Sequence, residues 1–175
     1  MTDQMDAESF QEYFNVILTA PDSEEAYNRT AYITNHISCL ELLLQFLSNC
    51  PIDVSKLTQT FNIIVQTLKN RGALLDLEFL KNQLSYFINF ITSNDDFLAN
   101  NKVLLGFCSE AIAYSYRFLF EITVPTSPPF SEVFELIEDP NINFKIIALS
   151  IMRYVVIAIK NLELKHTLKK TQKDN

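Results

Sequence analysis

Residues 37–49 read ISCLELLLQFLSN, and residues 77–92 read LEFLKNQLSYFINFIT. Large apolar side chains fill most positions of both stretches, and a set of polar residues recurs at regular intervals in each. In the first the set is Ser38, Glu41, Gln45 and Ser48; in the second it is Glu78, Asn82, Ser85 and Asn89. Steps of three and four residues place each set on one side of an α-helix, because 3.6 residues complete a turn. Each stretch therefore reads as a helix buried on nearly all sides that keeps one thin polar strip, a pattern expected where a surface meets a partner rather than bulk water.

Other segments of helical length surround these two. Phe10, Tyr13, Phe14, Ile17 and Leu18 form an apolar stripe over residues 8–19, which Pro21 ends. Asp22, with Glu25 three residues on, is a capping-box-like start for a second helix that continues toward His36. Pro51 and Asp53 precede a helix over 54–71, whose Gly72 suits the left-handed position after a helix end. Asp76 caps the helix over 77–92. Asn94-Asp95-Asp96 opens a long segment over 97–122, in which Gly106 allows a kink or a close helix contact. Three prolines in 124–129 form a true break, followed by a short helix over 131–138. Asp139-Pro140 then reads as a cap and first residue of a helix running through Ile159 and beyond.

The segments opening at Ile37 and Leu77 start 40 residues apart, and those opening at Val54 and Phe97 start 43 apart. Both spacings lie in the range of helical-hairpin repeats of the HEAT and armadillo kind. The expected fold is all-α, a HEAT-like superhelix of about three hairpins over residues 1–161, with a basic, disordered tail over 162–175. Stacked hairpins line their concave wall with the second helix of each, which would put both polar strips on one continuous surface.

Composition limits the function. A chain of 175 residues that is 48% hydrophobic, with 14 Phe and 7 Tyr, has enough material for a real core. Only two glycines are present, so phosphate-cradling turns and sharp active-site bends are hard to supply. The net charge is −7, and lysines gather after residue 159, leaving an acidic body that repels nucleic acid and steers toward basic protein partners. The acidic N-terminal residues lack the features of a targeting signal. The apolar stretch 146–159 falls short of the roughly 20 residues a membrane span needs. The expected location is the nucleus and cytoplasm.

No catalytic constellation stands out. The two imidazoles, His36 and His166, are far apart in sequence; His36 sits at a helix junction, where it serves the last carbonyls of the helix before it. Cys39, Cys50 and Cys108 lack paired spacing and read as reduced structural thiols. Carboxylates such as Asp95-Asp96 and Glu135-Glu138-Asp139 fall at helix starts and solvated faces. The run Tyr114, Tyr116, Phe118 and Phe120 is short of the basic neighbours that a nucleic-acid platform requires, and reads as core. Neither a metal, a cofactor nor an enzymatic activity is expected; a catalytic helical domain would need an unseen cofactor held by the carboxylates.

The order of segments resembles the amino-terminal region of the importin-β and exportin family of HEAT-repeat nuclear transport receptors. The resemblance rests on a first apolar helix, the break Thr19-Ala20-Pro21-Asp22, the apolar helix over 37–49, and a helix ending Leu68-Lys69-Asn70. Residues 57–91 are most similar to the exportin branch, and the likeness extends to Asn161. Ala31-Tyr32 stands where the family's second helix has an Ala-Glu pair. The resemblance implies a segment that binds the GTP form of a Ran-like GTPase through the inner faces of the helices over 37–49, 77–92 and 140–159. Protein cargo or further HEAT repeats would be its other partners. The rival expectation is a compact helical scaffold or adaptor without a GTPase partner.

Overall fold

A computed structural model describes residues 5–50, 52–123 and 137–171, with the side chains of the last helix described through Lys160. The described residues are all-α. The helices are α1 (Ala7–Thr19), α2 (Glu24–Ile33), α3 (Cys39–Asn49), α4 (Val54–Arg71), α5 (Leu77–Ser93), α6 (Asp95–Ala99), α7 (Lys102–Thr123) and α8 (Ile142–Thr171). The three-proline break and most of the expected helix over 131–138 lie outside the described residues.

Side-chain caps explain where several helices begin. Asp6, Ser23, Asp53 and Asp76 each accept a hydrogen bond from the backbone N–H three residues ahead, at 2.8–3.0 Å. Such caps satisfy donors that have no partner within the helix. At α2 the cap is Ser23 rather than Asp22, one residue later than the capping-box pattern places it. At α8 the start also moves. Asp139 accepts from Asn141 N–H, and Asn141 in turn accepts from Asn143 N–H, both at 2.8 Å, so Pro140 lies before the helix instead of at its first position. The helix then continues through Thr171, into the lysine-rich segment.

The core is built around α7, which lies against α4, α5 and α8. This explains why Tyr114, Tyr116, Phe118 and Phe120 are all buried although they alternate along the chain: a helix enclosed on several sides has little solvent face to spare. Phe61 of α4 meets Phe87 and Phe90 of α5, with ring centres 5.6 and 5.1 Å apart. Phe14 of α1 stacks on Phe10 and meets the edge of Phe46 of α3. Outside, the α1–α2 pair is clasped by Arg29, whose guanidinium lies 3.9 Å from the centre of the Tyr13 ring. The consecutive helices α2–α3 and α4–α5 make far less backbone contact than α7 makes with its three neighbours.

Gly72 differs from its expected role, and Gly106 makes no close contact. Gly72 has φ −56°, in the right-handed region, and opens a short 3-10 turn. Its need is space: a Cβ there would overlap the Phe118 ring. Gly106 is exposed near the start of α7, with nothing within 4 Å of where a Cβ would stand, so it serves no close helix contact.

Candidate interaction surfaces

Seven of the eight strip residues are solvent-exposed: Glu41, Gln45 and Ser48 on α3, and Glu78, Asn82, Ser85 and Asn89 on α5. The eighth, Ser38, is half-buried at the start of α3. Its hydroxyl accepts from the Met5 backbone N–H at 3.2 Å, fastening the chain ahead of α1 instead of joining the exposed row. A single side-chain contact links the two helices beside the rows. Ser48 Oγ, which donates to the Leu44 carbonyl, lies 3.5 Å from the hydroxyl of Tyr86, the neighbour of Ser85.

Gln83 of α5 is polar yet lies off the row on the covered side. It is buried, donates to Ser115 Oγ of α7 at 2.7 Å, and has no hydrogen-bond partner for its own carbonyl oxygen among the described residues. Its position between Asn82 and Leu84, out of step with the strip, was the available sequence signal for burial.

Asp95 has a role that helix-start reasoning missed. Its two carboxylate oxygens accept from the side-chain amides of Asn141 and Asn143, each at 2.6 Å, tying the start of α6 to the start of α8. His36 Nδ1 lies 2.8 Å from the Tyr32 carbonyl, as its place at the helix junction suggests. Burial pushes the Cys108 thiol well above the ordinary range, and the Cys50 thiol upward to a lesser degree, which disfavours the thiolate form. Among the described residues, no three His, Cys, Asp or Glu side chains converge as a metal site.

Two further surfaces were not anticipated. A cleft of about 310 Å³ lies between α2 and α4, and Gln59, Asn62, Gln66 and Asn70 of α4 line it. Their spacing of three, four and four was readable in the sequence, although the apolar half of α4 carries the stronger periodic signal. On α8, Ile142, Ile146, Leu149, Met152, Val156 and Ile159 form an exposed apolar stripe; Leu149 is 64% exposed and Val156 63%. The opposite face of α8 buries Ile147, Ala148, Ile151, Val155 and Ala158.

The helical segments Lys102–Ile122 and Ile142–Lys160 are long and apolar enough to cross a membrane by length and composition. The second extends the apolar stretch to 19 residues, so shortness no longer argues against a span there. The first is 72% buried, as befits a core helix.

Comparison with known protein families, curated proteins and solved structures finds no match to this chain.

Proposed function

We propose that this chain is a HEAT-like segment of an exportin-like nuclear transport receptor, working between nucleus and cytoplasm, and that it binds a Ran-type GTPase in its GTP form through the polar rows of α3 and α5. The observation that carries this reading is the exposure of Glu41, Gln45, Ser48, Glu78, Asn82, Ser85 and Asn89 on helices whose remaining faces are largely covered. Ser48 beside Tyr86 supports treating the two rows as parts of one surface. Their chemistry suits a protein partner: amides, hydroxyls and two carboxylates can complement a basic, hydrogen-bonding surface. The apolar stripe of α8 fits the same reading, since an exposed apolar helix face is what a neighbouring HEAT hairpin would cover.

A second reading draws on the packing of α7. A helix enclosed by α4, α5 and α8 is the arrangement of a compact bundle, which would act as an adaptor with no GTPase partner. Binding of immobilised chain to GTP- and GDP-loaded Ran separates the two. The receptor reading expects capture of the GTP form alone, whereas the adaptor reading expects neither. Small-angle scattering adds a shape criterion, because a compact chain of this length has a radius of gyration of about 16 Å and an extended or self-associating solenoid exceeds it.

A further inference from the structure

We propose that the cleft between α2 and α4 is a binding site for an extended, uncharged stretch of polypeptide, recognised through its main chain. It lies on helices other than α3 and α5, so it does not depend on the GTPase reading.

The lining determines the class of ligand. Its α4 wall carries Gln59, Asn62, Gln66 and Asn70; facing it are Thr30 of α2 and, just past the end of α2, Thr34 and Asn35, whose hydroxyl and amino group donate to the Ala31 carbonyl. Tyr27 is the one titratable side chain among the lining residues. A charged ligand would meet no counter-charge there, and an apolar one would strip water from the amides without replacing its hydrogen bonds. A suitable ligand must donate and accept repeatedly while remaining neutral. Each peptide unit does so with one N–H and one C=O, and each carboxamide side chain offers the complementary pair.

The amides of α4 are also free to act. The side chains of Gln59 and Asn70 have no hydrogen-bond partner among the described residues. Gln66 Nε2 donates to Asn62 Oδ1 at 3.0 Å, which orients this pair and leaves the Asn62 amino group and the Gln66 carbonyl to face outward bonds. Ile17, Pro21 and Ala31 give the cleft an apolar portion against which alternate side chains of an extended strand can rest.

The spacing matches a strand. Eleven residues separate Gln59 from Asn70, a rise of about 16 Å along the helix. An extended chain advances about 3.3 Å per residue, so the row spans roughly five residues of strand. Successive amides lie about 4.5 to 6 Å apart along the helix axis, close to the two-residue repeat with which a strand presents groups to one side.

The test is a titration of ¹⁵N-labelled protein with the capped peptide acetyl-Ala-Ala-Ser-Ala-Ala-amide, following the side-chain NH₂ signals of Gln59, Asn62, Gln66 and Asn70. The expected result is saturable shifts confined to these signals and their α2 neighbours. A peptide of the same sequence with every second backbone nitrogen methylated should bind about tenfold more weakly or worse, because its donors are removed. Asn62→Ala combined with Gln66→Ala should abolish the shifts at the two remaining amides while the circular dichroism spectrum and melting curve stay intact. Equal binding of the methylated peptide would overturn main-chain recognition. Absence of shifts with the unmodified peptide, or shifts produced only by maltopentaose, would overturn the site as a peptide cleft.

Discussion

Replacing Gly72 by alanine tests the packing of the core directly. The backbone there has φ −56° and ψ −28°, which alanine adopts without strain, so any cost must come from the added methyl group. That methyl would collide with Cε2, Cδ2 and Cζ of Phe118. Phe118 is itself only 6% exposed, in the enclosed part of α7, so its ring cannot move without displacing neighbours. Overpacking of this kind costs about 1–3 kcal/mol. For a chain of this length that lowers Tm by roughly 2–12 °C. Thermal unfolding followed by circular dichroism reads the change. The decisive comparison adds Phe118→Leu: if space for the ring is the reason for glycine, Gly72→Ala should cost at least about 1 kcal/mol less in a chain that already carries Phe118→Leu. A left-handed cap, the role suggested by position alone, would give the same cost in both backgrounds, and that result would refute the packing argument.

The other glycine should behave in the opposite way. Gly106→Ala adds a methyl to open space inside the second turn of a helix and should stabilise by about 0.5–1 kcal/mol, so a lowered Tm would contradict the account of α7. Asp95→Ala removes two short charge-assisted bonds and strands the buried Asn143, with an expected loss of about 2–3 kcal/mol in urea unfolding; a loss below about 0.5 kcal/mol would show that α6 and α8 are not joined there. Asp6 gives a pH effect. The Ser9 backbone N–H, and then the Ser9 hydroxyl, hold its carboxyl below the usual carboxylate range. Because the folded value is depressed, its contribution is present above the unfolded value near pH ~4 and disappears as pH falls through the folded value. An NMR titration of Asp6 should show this depression, and Ser9→Ala should reduce it; an ordinary titration in the parent chain would contradict the cap.

Much of the fold was legible because its signals are local. Asp53 and Asp76 announce α4 and α5, and Pro21 ends the first helical stretch, since caps and missing N–H groups act within one turn. Long-range pairing was not legible. Periodicity tells that α4 and α5 each have an apolar face, yet nothing in it says that both faces turn toward α7. The same limit explains Gly72, whose partner lies 46 residues away, and Asp95, whose partners lie 46 and 48 residues away. Of the candidate surface, the exposed row followed from helical spacing alone, whereas Ser38 fell to a contact from Met5 that spacing cannot show.

The most direct test of the proposed function reverses charge on both rows at once. Glu41→Lys with Glu78→Lys alters two exposed carboxylates in the first turns of α3 and α5 and no buried group, so the fold should persist, with a stability loss limited to two helix-dipole interactions, about 1–2 kcal/mol. Affinity for GTP-loaded Ran, measured by biolayer interferometry, is expected to be clear in the parent chain and lost in the variant. Equal affinity of the two chains for the GTP form would contradict the assignment of this surface, and failure of the parent chain to bind it would contradict the receptor reading itself.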